Sequence, residues 1–319
     1  MKLIVQIPCL NEEKTLPETV GDIPREIPGV DRVEILVIDD GSTDRTSAVA
    51  RELGVDHIVR HRTKRGLAAA FQTGIDACLK QGADIIVNTD GDNQYQGADI
   101  PKLIQPVLDG KADIVVGDRQ TQSVAHFSGT KKKLQKFGSM VVRRASGAQI
   151  PDAVSGFRAY SRDAALSLNV LSTFSYTVET LIQAGVNRYA ITHVPVRVNE
   201  KTRDSRLFKS IPEFLTQQMS TILRVFAMYH PLRVFAIIGI FLTVIGILPI
   251  LRFLYFYMIG DGAGHIQSLI IAGVFIVLGF VTFVIALLSD LIAYNRKLLE
   301  ITVEKLRRIE LALQEKDDG

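Results

Sequence analysis

The 319-residue chain holds only two cysteines, Cys9 and Cys78. Two are too few for a disulfide framework, and they suit a reducing compartment. Net charge is also scarce: 37 Lys and Arg against 34 Asp and Glu leave +3. That excess does not imply a nucleic-acid partner and is better matched to phosphates and anionic lipid headgroups. The strand-like opening LIVQIP starts at residue 3, so no cleavable signal peptide is expected.

The most informative shortage is local. Residues 234–251 (VFAIIGIFLTVIGILPIL) and 266–289 (IQSLIIAGVFIVLGFVTFVIALLS) carry no charged side chain. A helix of roughly 20 apolar residues crosses about 30 Å of hydrocarbon. Core helices of soluble proteins seldom run this long without a polar face, so both stretches are expected to span. The segment between them, 257–265, carries Asp261 and no Lys or Arg, whereas Arg224, Arg233, Arg296, Lys297, Arg307 and Arg308 flank the pair. This asymmetry predicts two spans in the cell inner (cytoplasmic) membrane, with both termini and the whole stretch ahead of the first span cytoplasmic and the short loop outside. Pro249 is expected to kink the first span and Arg252 to snorkel outward.

Upstream, β-rich runs at 3–7, 34–38, 57–59, 84–88, 113–116 and 191–198 alternate with amphipathic stretches such as 43–53 and 67–80. Such alternation predicts an α/β domain, a mostly parallel sheet with helices on both faces. Ligands of such sheets sit at the carboxyl ends of strands, where this chain puts its acidic motifs. The first run ends in Pro8-Cys9-Leu10-Asn11-Glu12-Glu13 and the second in Asp39-Asp40-Gly41-Ser42-Thr43-Asp44. Carboxylates there can accept hydrogen bonds from a base or ribose hydroxyl, and Asp39 is the candidate. Ser42, Thr43 and Asp44 equally suit a strand-to-helix turn and cap.

The run Ile85-Ile86-Val87 leads into Asn88-Thr89-Asp90-Gly91-Asp92-Asn93-Gln94-Tyr95. Two carboxylates around a glycine at a strand end can share a hard divalent cation whose shell is completed by substrate phosphates and water. Such a cation neutralises charge on a departing diphosphate.

The succession PCLNEE, VIDDGSTD, RGLAAAF, NTDGDNQY, VGDR and SGFR resembles family 2 inverting glycosyltransferases with the GT-A fold. With two C-terminal spans, the chain is similar to the polyprenyl-phosphate hexosyltransferases, the group of the dolichol-phosphate mannose synthases. The resemblance implies a Rossmann-like GT-A domain at 1–208, a juxtamembrane amphipathic segment at 209–231, spans at 232–257 and 266–291, and a cytoplasmic amphipathic helix at 295–315. It implies a nucleotide-sugar pocket drawing on Pro8, Leu10, Asn11, Glu12, Asp39 and Asp40, with Asp90, Gly91, Asp92 and Gln94 beside them. Asp90 and Asp92, supported by Gln94, would hold Mg²⁺ or Mn²⁺. Asp90, Asp92 and Glu179 would be the catalytic carboxylates, Glu179 orienting sugar or an arginine if it is not an ordinary helix-surface glutamate.

The basic residues complete this expectation. Arg119 follows the run 114–116, and Lys201 to Lys209 (KTRDSRLFK) precedes the first span. Arginine's planar fork suits phosphate oxygens. By resemblance Arg119 and Arg206 meet the diphosphate, while Arg119, Ser155, Arg158, Arg203, Ser205 and Arg206 face the acceptor phosphate. The cluster at 201–209 equally suits lipid headgroups. Arg203 stands where those relatives often have Gly. Lys131, Lys132, Lys133 and Lys136 suit either the membrane or a solvated helix face.

The expected reaction moves a hexose from a UDP- or GDP-linked donor to an undecaprenyl-type polyprenyl phosphate. That acceptor has a second pKa near 6 and is already largely dianionic, so it needs no full general base. Competing readings are a glycosyltransferase with a glycan acceptor and a silent membrane scaffold assembled through 295–315. Processive synthases of the superfamily carry a Gln-x-x-Arg-Trp element, and this chain has no Trp. A homo-oligomer is expected from the hairpin and its charged tail.

Overall fold

A computed structural model describes residues 1–120, 150–171, 175–199, 220, 224, 226–260 and 265–317. The chain divides into two units, Met1–Leu223 with Val303–Gly319, and Arg224–Thr302.

The first unit is built on seven strands: β1 (Lys2–Cys9), β2 (Arg32–Asp39), β3 (His57–Arg60), β4 (Ile85–Asn88), β5 (Ile114–Asp118), β6 (Arg158–Ser161) and β7 (Ile191–Pro195). Their order is β3-β2-β1-β4-β6-β5-β7. β1, β2, β3 and β4 are mutually parallel, β5 pairs parallel with β7, and β6 alone among the described strands runs against its neighbours. The sheet is thus mostly parallel, as the alternation predicts. β6 escapes the sequence reading because its four residues, RAYS, begin with an arginine and show no clean alternation.

Side-chain alternation along the strands sorts the core into two layers. Leu3, Val5, Ile7, Ile35, Val37 and Val87 lie in one cluster, and Ile4, Leu36, Ile38 and Ile86 in the other. The first layer is covered by α1 (Leu16–Gly21), α2 (Thr46–Glu52) and α4 (Ile100–Leu108). The second is covered by α3 (Leu67–Lys80) and α5 (Arg162–Ser167), while α6 (Thr177–Val186) adds Ala184. α2 starts three residues later than the 43–53 pattern because Asp44 is spent on the turn, accepting from Thr46 N at 3.0 Å.

The second unit contains α7 (Pro231–Met258) and most of α8 (Ile266–Asp317). Both helices are long and apolar enough to cross a membrane, and little of either apolar stretch is buried within the protein. They cross through small residues: a Cβ on Gly239 would lie 3.0 Å from Gly279 O. At the base of the hairpin, Arg296 sits 3.7 Å over the Tyr229 ring and donates to Glu300 at 3.0 Å, and Tyr229 Oη donates to Glu300 at 3.1 Å. Arg252 donates to Ser268 Oγ at 2.9 Å.

Between 291 and 295, where the sequence reading ends one helix and begins another, α8 continues without a break. Its last turns belong to the first unit and pack there. Arg307 donates to Leu166 O at 3.1 Å and Leu168 O at 2.8 Å and pairs with Asp76. Arg308 pairs with Asp163, Glu310 with Lys80, and Leu311 is buried in the second core layer. This face of the tail is therefore occupied by the domain itself.

Candidate functional site

The chain runs from β1 outward to β2 and β3, then crosses back to β4 on the other side of β1. The β1–β4 boundary is therefore a topological switch point, where the carboxyl ends of strands leave a crevice. The loop after β1 and the loop after β4 meet there. Asn11 turns the chain with φ 57°, and its backbone N–H donates to Ser42 Oγ at 2.9 Å while its side chain accepts from Thr43 N at 2.8 Å. Glu12 N donates to Thr46 Oγ1 at 2.8 Å. Thr15 Oγ1 lies 2.9 Å from Glu12 Oε2 and 2.7 Å from Gly91 O, joining the first loop to the acidic one. Pro8 is still within β1, paired with Ile38, and Leu10 is half-buried just beyond it.

Asp90 and Asp92 are half-buried on this edge, on either side of the buried Gly91. Asp92 Oδ1 accepts from Gln94 N at 3.2 Å. The Asp90 carboxylate abuts Gly156, where an added Cβ would lie 3.1 Å from both of its oxygens. A side chain at 156 would press on the acid, so glycine suits this approach ahead of β6. Beneath it, the buried Asn88 accepts from Gln6 Nε2 at 2.9 Å and donates to Gly156 O and to Tyr176 Oη, each at 2.8 Å. Tyr176 stacks on Phe71 at 3.9 Å. Burial, reinforced by the charge of Asp90, holds its hydroxyl well above the ordinary tyrosine pKa.

Among the described residues no group of three or more His, Cys, Asp or Glu side chains gathers in metal-ligating fashion. The donor set at Asp90 and Asp92 is two carboxylates on an accessible strand edge. This fits a cation that takes one or two protein carboxylates and completes its shell from phosphate and water.

Asp39 and Asp40, expected at the nucleotide, both hold contacts within the protein. Asp39 is buried, and its carboxylate accepts from Ser42 N at 2.7 Å and from Ser47 Oγ and faces Arg60 Nε at 3.4 Å. Both oxygens of Asp40 are engaged by the loop after β3: Arg65 N and Gly66 N at 2.8 Å each, and His61 Nδ1 at 2.7 Å. These two carboxylates therefore build the edge of the pocket. Ser42 and Asp44 serve the strand-to-helix turn that follows.

On the other side of Asp90, the buried Tyr95 stacks on Phe157 at 5.1 Å, and its hydroxyl accepts from Gly156 N at 3.1 Å. Arg119 grips Asp152 with its fork, Nε to Oδ2 at 2.7 Å and Nη2 to Oδ1 at 3.0 Å. Burial opposes its charge, yet the neighbouring Tyr95 and Asp152 hold its pKa above the ordinary arginine value. Two of its N–H groups are thus directed at protein.

Ser155 and Arg158 are the residues expected at the acceptor phosphate. Both are fully buried. The Arg158 guanidinium donates to Ser155 O at 2.8 Å, Ala153 O at 2.8 Å, Thr177 O at 2.7 Å and Thr180 Oγ1 at 2.8 Å. It satisfies the buried carbonyls of Ala153 and Ser155 and ties the segment 153–155 to the start of α6. Glu179 is fully buried in α6, not on a helix surface, and accepts from Leu171 N at 3.1 Å. Arg203, Asp204, Ser205 and Arg206, and the lysines at 131–133 and 136, lie outside the described residues.

The sequence reading missed Asn88 as a hub, Tyr176, Asp152 and His61. Asn88, Asp152 and Tyr176 sit inside or beside motifs that draw notice, Tyr176 three residues before Glu179. His61 comes from a segment whose meaning depends on which strand it folds against.

The sequence matches the family described as Glycosyl transferase family 2 over residues 4–168. It is 29% identical over 211 residues to a polyprenol monophosphomannose synthase of Mycolicibacterium smegmatis, covering 63% of this chain and 78% of that protein. An undecaprenyl-phosphate mannosyltransferase of Micrococcus luteus is 28% identical over 211 residues, covering 63% and 85%. In structure, the chain is similar to glucosyl-3-phosphoglycerate synthase from Mycobacterium tuberculosis in complex with Mn²⁺, UDP-glucose and phosphoglyceric acid. The TM-score is 0.57 with 24% identity, over 71% of this chain and 80% of that one. That likeness and the strand order give the GT-A fold expected from the sequence.

Proposed function

The chain belongs to glycosyl transferase family 2, and from that premise we propose that it moves a hexose from a nucleoside-diphosphate sugar to the phosphate of a polyprenyl phosphate. The observation that carries this reading is the pairing of Asp90 and Asp92 at the β1–β4 switch point with two helices of membrane-spanning length in one chain. Relatives named for polyprenol and undecaprenyl phosphate support the choice of acceptor.

The donor enters the crevice edged by Asn11 and Glu12 on one side and by the Asp90 loop on the other. Asp90 and Asp92 are the residues to hold Mg²⁺ or Mn²⁺. When bound, the cation supplies charge neutralisation on the leaving diphosphate. Asn88, Tyr176 and Gly156 fix where Asp90 stands, and geometry of this kind, set before substrate arrives, is what lowers the barrier. The acceptor phosphate attacks the anomeric carbon from the face opposite the leaving group, so the configuration inverts. As a dianion it needs orientation more than deprotonation. The sequence assigns that orientation to Arg206 and its neighbours, and the phosphate lies at headgroup level, just ahead of the first span. The excess of Arg and Lys flanking the spans supports a cytoplasmic catalytic unit.

The test is a transfer assay with purified protein, Mg²⁺ or Mn²⁺, labelled UDP- and GDP-sugars and undecaprenyl phosphate. Label passing into the organic phase, and lost with EDTA, is the expected result. A folded protein that transfers from no donor would sink the proposal.

A further inference from the structure

Loop 61–66, between β3 and α3, reads His-Arg-Thr-Lys-Arg-Gly and contains no apolar side chain that anchors it. It is held from beneath by one buried carboxylate. Asp40, at the end of β2, accepts from Arg65 N and Gly66 N at 2.8 Å each. His61 is buried beside it, with Nδ1 2.7 Å from Asp40 Oδ1 and Nε2 3.1 Å from Thr73 Oγ1 on α3. The imidazole thus links the carboxylate to the helix the loop leads into. Gly41 completes the fit: with φ +75° it passes so close that a Cβ would lie 2.8 Å from Lys64 N.

What the loop presents is positive charge. Arg60, Arg62, Lys64 and Arg65 are four exposed cations within six residues. Arg60 is turned onto the neighbouring edge, donating to Ser42 O at 3.1 Å. Like charges gathered this closely repel one another, and here they are held against that repulsion by a buried hydrogen-bond network. The arrangement is complementary to an anion at the carboxyl edge of β2, next to the Asn11 and Ser42 contact.

We propose that His61 is a positioning residue for the donor: acting through Asp40, it holds the Arg62–Gly66 loop so that its cations meet the diphosphate of the bound nucleotide. This rests on the nucleotide-sugar reading above. The Nδ1–H donated to Asp40 is the decisive bond, because Asp40 in turn holds the two loop amides.

Asparagine at 61 puts an amide N–H near the place of Nδ1, whereas glutamine reaches the place of Nε2. His61→Ala, His61→Asn and His61→Gln full-length proteins are therefore compared by titration calorimetry with UDP and GDP, by donor KM and kcat, and by amide hydrogen exchange. His61→Ala and His61→Gln are expected to raise the nucleotide Kd and donor KM about tenfold, the scale of one charge-assisted hydrogen bond, with kcat within twofold. Exchange at Arg65 and Gly66 quickens in both, and His61→Asn restores both readouts. Unchanged exchange in His61→Ala overturns the positioning role whatever the nucleotide result. Faster exchange with unchanged nucleotide affinity, or with weaker binding to anionic phosphatidylglycerol vesicles instead, overturns the assignment to the donor. If the wild-type protein binds neither nucleotide, the donor reading itself falls, and this inference with it.

Discussion

Asn88 donates to Tyr176 Oη at 2.8 Å across 88 positions of sequence, and in doing so ties the strand that ends in the acidic motif to the N-cap of α6. The same amide reaches Gly156 O. One side chain therefore sets the distance between β4, β6 and α6, and Asp90 stands on that junction. Tyr176 keeps its proton over the working pH range because burial, and then Asp90, push its pKa well up.

Asp92→Asn should abolish transfer while leaving the fold intact. The side chain is half-buried on a strand edge and carries no core packing. The expected loss is at least about 10²-fold, the scale for removing one group that meets developing charge. Transfer rate and thermal midpoint, measured on the same preparation, check it. A normally active Asp92→Asn protein would remove the metal assignment.

Arg158→Met should act on stability and not on acceptor recognition. It removes the donor to the carbonyls of Ser155 and Ala153, and one of the donors to Thr177 O, in a buried site. At about 1 to 3 kcal/mol for an unsatisfied buried group, a loss of several kcal/mol is expected in denaturant titration. A stable variant with a raised KM for the polyprenyl phosphate would restore the acceptor role.

Asp152→Ala should cost more than Arg119→Ala combined with Asp152→Ala. The single change leaves the Arg119 guanidinium mostly buried without its bidentate partner, and stranding one partner of such a pair costs about 3 to 5 kcal/mol. A double-mutant cycle on unfolding free energy measures the coupling.

Asp99 should make the first unit sensitive to acid. Burial favours its neutral form, but it accepts from Arg197 N at 2.6 Å and from the Arg197 fork, and the net effect lowers its pKa below 3.8. A carboxylate depressed on folding stabilises above its unfolded pKa, and the contribution is lost as pH falls through the folded value. The thermal midpoint should therefore hold down to about pH 4 and fall below it. Asp99→Asn should be less stable at pH 7 and show a shallower acid limb.

The parallel strands β1 to β4, the α3 boundaries and the two long apolar helices were legible in the sequence because each has a strong periodic or compositional signal of its own. The acidic edge was legible because its carboxylates follow strands. β6 was not, since its meaning lies in the long-range pairing with β4 and β5. The same holds for Asp40 and Arg158. Their residue types suggest ligand contact, and only the fold shows that backbone amides and carbonyls claim them first. Apolar residues among mixed charges mark 295–315 as an amphipathic helix, but backbone helicity is indifferent to where the charges begin, and α8 runs through that point.

Leu311 completes a core layer whose other members lie between Ile4 and Ile191. During synthesis the sheet emerges first, and Leu311 can join this layer only after the final turns of α8 have left the ribosome. By then both apolar helices have been made. The order of the chain thus puts the last member of this core layer after both long apolar helices.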